Sequence, residues 1–129
     1  MKKRLLCLIL MVVMLLPIQA FAVSADVIQK SDFTAAVNLQ PYSANWFVYS
    51  GANSYKVSLR RLDDDWLMLD RVDNGNSTSI SLGYLAEYST YRVWVGAYNS
   101  SGTLIAQGQL TFEASYTPNS YKSVRVTLN

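Results

Sequence analysis

From Phe33 onward, apolar and polar residues alternate with a period of two, and no stretch holds a helical period long enough to matter. In "YRVWVGAY", Tyr91, Val93, Val95 and Ala97 fall on one side of an extended chain. Arg92, Trp94, Gly96 and Tyr98 fall on the other. "SYKVSLRRL" behaves alike, with Tyr55, Val57 and Leu59 against Ser54, Lys56, Ser58 and Arg60. Five further runs read as strands. They are "FTAAVNL", which Pro41 ends; "ANWFVYS"; "WLMLDRV"; "TSISL", with Ile80 and Leu82 inward; and "TLIAQGQLTFEA". Turn chemistry separates them: "GAN", "LDDD", "DNGNS" with its Asn74-Gly75 hairpin signal, the corner "YLAEYST", and "SSG". The pattern predicts an all-β fold, a seven-stranded antiparallel β-sandwich over residues 33–115. Residues 116–129 alternate again through Val124, Val126 and Leu128. They are expected to form a C-terminal tail or an extra edge strand, covering the domain's own edge or pairing with a neighbour.

The N-terminus has a different pattern. Lys2, Lys3 and Arg4 precede an unbroken apolar run from Leu5 to Leu16, and Pro17 leads to Ala20-Phe21-Ala22. This reads as a signal peptide over residues 1–22, cleaved after Ala22, with Val23-Ser24-Ala25 as a second option. The run falls short of the ~20 residues that cross a bilayer. An uncleaved N-terminal membrane anchor is the alternative. Residues 23–32 are polar and mixed, and are expected to be a flexible lead-in. The chain is thus expected to be secreted, with no membrane association after cleavage.

Cleavage changes the charge. The full chain has 11 Lys and Arg against 9 Asp and Glu, and losing three cations leaves a net charge near −1. No basic surplus remains to release counterions, so no nucleic-acid partner is expected. Cys7 is the single cysteine and there is no histidine. Disulfides, thiolate or imidazole metal sites and any Ser-His-Asp triad are therefore excluded beyond residue 22. Asp63-Asp64-Asp65 and "DNGNST" invite a calcium reading, but the distant bidentate Glu of a complete loop is missing, and solvated turns are the expectation. Asp70 and Glu87 form the available carboxylate pair for glycoside hydrolysis, with nothing in the spacing to set them across a cleft. Neither an enzyme, a cofactor nor a metal is expected.

Two stretches together resemble a fibronectin type III domain, a member of the immunoglobulin-like class. "WFVYSGANSYKV" is similar to the family's second-strand tryptophan (Trp46), tight turn (Gly51-Ala52) and third-strand Tyr-x-Val (Tyr55 and Val57). "LAEYSTYRVWVGAYNSSG" is similar to its tyrosine corner and final hairpin, with Leu85 six residues before Tyr91, then Val93 and Val95. The resemblance implies a core built on those seven residues, Trp46, Tyr55, Val57, Leu85, Tyr91, Val93 and Val95. It implies too that the Tyr91 hydroxyl bonds a backbone group a few residues upstream. The first strand lacks the family's proline-rich lead, and the residues after Ala114 have no counterpart in it.

In such a sandwich the strands containing Tyr55, Trp94 and Ile105 share a sheet. Its outer face would show Lys56, Ser58, Arg60, Arg92, Trp94, Tyr98, Ile105, Gln107 and Gln109. Rings rimmed by Arg, Lys and Gln suit sugar stacking with hydrogen bonds, or a protein hot spot. They equally suit cross-strand packing on Lys and Arg stems. The candidate ligand-binding residues are Trp94, Tyr98, Arg92, Lys56, Arg60 and Gln107. The expected function is a secreted binding or adhesion module for a carbohydrate or protein at the cell surface. The alternative is a structural subunit of a surface assembly, joined through its C-terminal strand.

Overall fold

The computed structural model describes residues 37–129. The expected signal peptide, the lead-in and most of "FTAAVNL" lie outside the described residues. The described part is all-β, with seven strands in two sheets. They are β1 (Leu39–Asn45), β2 (Ser54–Arg61), β3 (Trp66–Asp73), β4 (Ser79–Ala86), β5 (Thr90–Tyr98), β6 (Leu104–Glu113) and β7 (Lys122–Arg125). One sheet has the order β4-β1-β7, the other β3-β2-β5-β6.

Alternation builds the core. Tyr55, Val57 and Leu59 of β2 and Tyr91, Val93, Val95 and Ala97 of β5 are buried, and meet Tyr42 and Ala44 of β1 and Leu82 and Leu85 of β4. Rings span the two layers: Trp46 lies 5.5 Å from Tyr55, and Tyr42 lies 5.5 Å from Phe112. Each such ring removes a large apolar area from water. The indole N–H of Trp46 is buried without a hydrogen-bond partner among the described residues, a cost that the burial of its ring must outweigh.

Buried tyrosines also hold loops through their hydroxyls. Tyr91 Oη accepts from Ala86 N–H at 2.9 Å, fixing the β4–β5 corner. Tyr55 Oη accepts from Tyr49 N–H at 2.9 Å, and Tyr42 Oη accepts from Ser115 N–H at 3.0 Å.

Four features differ from the sequence expectation. First, "ANWFVYS" is not a strand. β1 runs through Pro41 and stops at Asn45; Trp46 turns inward while Phe47 and Val48 stand exposed. Pro41 is tolerated because β7 pairs with β1 only from Tyr42 onward, so among the described residues no strand lies on that side to receive the missing N–H. The apolar content of "WFVY" serves one core ring and a loop that backbone and Tyr55 bonds hold. Second, β4 continues past "TSISL" to Ala86, which shortens the corner to Glu87–Ser89.

Third, the pairing is not wholly antiparallel, because β7 runs parallel to β1. Gln40, fully buried near the start of β1, explains the direction. Its Oε1 accepts from Thr117 N–H at 2.7 Å and its Nε2 donates to the Ser120 carbonyl. The turn before β7 is thereby held at the end where β1 begins, and the two strands set out together. Val126 then enters the core, Asn129 exchanges a pair of backbone hydrogen bonds with Gln107, and the C-terminal residues reach across to β6. Gly108 makes this crossing possible: a Cβ there would lie 1.9 Å from the Thr127 carbonyl oxygen.

Fourth, Ile105 is not on the outer face. The β5–β6 register shifts between Ala97 and Tyr98, which pairs Tyr98 with Leu104 and turns Ile105 toward the core.

Candidate functional site

The outer face of the β3-β2-β5-β6 sheet brings the six candidate residues onto three neighbouring strands. Lys56 and Arg60 come from β2, Arg92, Trp94 and Tyr98 from β5, and Gln107 from β6. The register places Arg60 opposite Arg92, Ser58 opposite Trp94, and Trp94 opposite Gln109.

Trp94 is half-buried at the centre. Its indole lies along the strand over Gly96, where an added Cβ would come within 2.4 Å of the six-membered ring. Only glycine leaves room for the ring to settle on the sheet. Its Nε1 donates to Gln107 Oε1 at 2.9 Å, which fixes the rotation of the ring. The Arg71 guanidinium lies 5.8 Å from the ring centroid, and Lys56 Nζ lies 5.0 Å from that of Tyr98. These contacts are cross-strand packing, and they also hold the ring in one orientation before any ligand arrives.

Two depressions share Trp94 as a wall. One, of about 630 Å³, runs along β6 to the C-terminal residues and is lined by Gln107, Gln109, Arg125, Thr127 and Asn129. The other, of about 290 Å³, lies toward β3 and is lined by Ser58, Arg60, Leu67, Asp70, Arg71 and Arg92. Amides and a hydroxyl in the first, and guanidinium groups in the second, suit polar ligands with hydroxyl or acidic groups.

Arg71 joins the site through a feature the sequence reading missed. Asp70 and Arg71 together oppose Ser58, a bulge in the β2–β3 ladder, and Arg71 has φ 46° in the left-handed region. Its N–H is satisfied by Ser58 Oγ at 2.9 Å. Bulges re-aim side chains, and here the guanidinium is sent over the neighbouring indole. Simple alternation along "WLMLDRV" cannot register an extra residue. The C-terminal contributors Arg125, Thr127 and Asn129 were missed because their approach depends on the parallel β1–β7 pairing. On the opposite sheet, Tyr84 and Tyr121 are exposed beside a separate groove of about 330 Å³.

The carboxylates of the "LDDD" turn serve the turn itself. Asp63 Oδ1 accepts from Thr90 N–H at 3.3 Å, Asp64 pairs with Arg61, and Asp65 pairs with Arg60 at 2.8 Å. The hydrogen bond from Arg61 pulls the Asp64 carboxyl below its usual range, and Asp64 in turn raises Arg61. Asp73 and Asn74 likewise spend their side chains on local backbone groups. Asp70 lies on β3 at the outer face, whereas Glu87 follows β4 and accepts from the Asn38 side chain at 2.8 Å.

No protein-family model and no curated protein matches this chain. Among solved structures it is similar to a DUF4876 family protein from Bacteroides thetaiotaomicron, at 12% sequence identity and a TM-score of 0.46. The match covers 70% of this chain and 23% of that one, so the chain spans under a quarter of that protein's length.

Proposed function

We propose that this protein is a secreted, non-enzymatic binding or adhesion module of fibronectin type III-like, immunoglobulin-like architecture, recognising a surface polysaccharide through the outer face of the β3-β2-β5-β6 sheet. The architectural part is supported by the strand orders, and by the corner in which Tyr91 Oη accepts from Ala86 N–H. Secretion is supported by the residue pattern of positions 1–22.

One observation carries the recognition. The indole of Trp94 lies over Gly96 and is anchored by Gln107, between two depressions whose linings include amide, hydroxyl and guanidinium groups. A ring fixed in this way loses little freedom on binding, so contact with a sugar ring need not first order the side chain. The amides beside it offer donors and acceptors to sugar hydroxyls. The assembly alternative has less support, because β7 is already paired with β1 of its own chain.

The test is retention on insoluble cell-wall polysaccharide, comparing the protein with a Trp94→Ala/Tyr98→Ala variant. The variant is expected to keep its fold by circular dichroism and to lose retention. A folded variant retained as well as the parent would refute the reading.

A further inference from the structure

We infer that the ligand at this face is an acidic polysaccharide, a uronate-bearing glycan whose carboxylate is gripped by Arg71 and Arg92 while its sugar ring lies against Trp94. The inference rests on the binding-module reading and adds the chemical class of the ligand.

One cross-strand pairing on this face is unfavourable. Arg60 and Arg92 stand directly opposite one another across β2 and β5, an arrangement that destabilises a sheet when both charges are alike. The β3 bulge then brings a third guanidinium, that of Arg71, into the same depression of about 290 Å³. Among the described residues Asp70 is the one carboxylate lining it. Arg60 is occupied by Asp65, and among the described residues neither Arg71 nor Arg92 makes an ion pair. Two guanidinium groups without an ion pair thus share the depression with one carboxylate, on a chain whose charge beyond residue 22 is near −1. An anion seated between Arg71 and Arg92 relieves their repulsion.

The geometry favours a carboxylate attached to a ring. A guanidinium presents parallel N–H donors that match a carboxylate in two-point fashion, which an ammonium does not. The depression is about the size of the smallest ligand sites, enough for a single sugar unit, and Trp94 forms its wall toward β6. Ser58 and Asp70 line the same space and can take up hydroxyl groups. A near-neutral chain gives little long-range attraction to polyanions in general, so selection here depends on the short-range fit of charge and ring together.

The experiment measures binding of polygalacturonate, neutral galactan and single-stranded DNA by titration calorimetry. It uses the protein and its Arg92→Gln, Arg71→Gln, Arg92→Lys and Trp94→Ala/Tyr98→Ala variants, each checked for a cooperative melting transition above the temperature of the titration. Polygalacturonate is expected to bind more tightly than galactan. Either Gln substitution is expected to weaken it about tenfold, the loss of one charge-assisted hydrogen-bonded pair, and Arg92→Lys to weaken it less. Galactan binding should not change in the arginine variants. If both polymers bind equally and depend on Trp94 but not on the arginines, the module reading stands and the acidic-ligand inference falls. If the aromatic double variant binds everything as the parent does, the module reading falls and takes the inference with it. Equal binding of DNA and polygalacturonate would overturn the choice of a glycan.

Discussion

Val93 and Trp94 are chain neighbours on β5 that meet opposite surroundings. Val93 has no exposed surface and packs among residues from both sheets. Trp94 turns outward, covers a glycine, bonds one glutamine and borders two depressions. The inner face is made of rows that fill a shared volume, so each side chain is constrained by many neighbours at once. The outer face is a shallow arrangement held by a few pairwise contacts, each worth little to stability. On the proposed function, the contrast separates stability from recognition: changes on one face are felt by the whole fold, and changes on the other would be felt by a ligand.

The largest expected effect is on the inner face. Removing residues 117–129 takes Val126 out of the core, uncovers β1 and breaks the bonds between Gln40 and the turn before β7. The shortened chain is expected to lose its cooperative thermal transition in circular dichroism. A sharp transition at the parent temperature would mean that the inner face is complete without β7. A smaller loss is expected from Tyr91→Phe, which keeps the ring and strands the Ala86 N–H. Urea unfolding should show a cost of about 1 kcal/mol, the penalty of an unmade, partly buried bond. No measurable change would show that the corner does not need the hydroxyl.

The smallest effect belongs to the exposed "LDDD" turn. The bond from Arg61 depresses the Asp64 carboxyl, so the folded state favours the charged form. That contribution is fully present above the unfolded carboxylate range, about pH 4, and is lost as pH falls through the depressed folded value. Melting temperatures of the protein and Asp64→Asn should differ slightly at neutral pH and converge in acid, because exposed pairs contribute little. A gap that persists in acid would assign the difference to something other than the ion pair.

What was legible in the sequence follows the same division. Alternation in "SYKVSLRRL" and "YRVWVGAY" reports directly which side chains face inward, because a sheet with one buried face imposes that period. The class and the division of β2 and β5 into inner and outer rows could therefore be read, but the strand count could not, since "WFVYS" forms a loop and the C-terminal residues supply β7. Long-range direction could not. The parallel course of β7 depends on Gln40, a polar residue next to Pro41 whose burial carries no apolar signal. Bulges were equally hidden, since the extra residues at Asp70-Arg71 and Ile105 change register without changing composition. The outer face was thus readable at Trp94, Tyr98 and Arg92, and unreadable at Arg71 and Leu104, which bulges place there.

The separation of the two faces is tested most directly by Val93→Ala beside Trp94→Ala, each measured by urea unfolding and by polysaccharide retention. Val93→Ala is expected to cost about 2 kcal/mol and to retain polysaccharide normally while folded. Trp94→Ala is expected to cost about 1 kcal/mol or less and to lose retention. Equal destabilisation by the two, with retention unaffected by Trp94→Ala, would contradict the account.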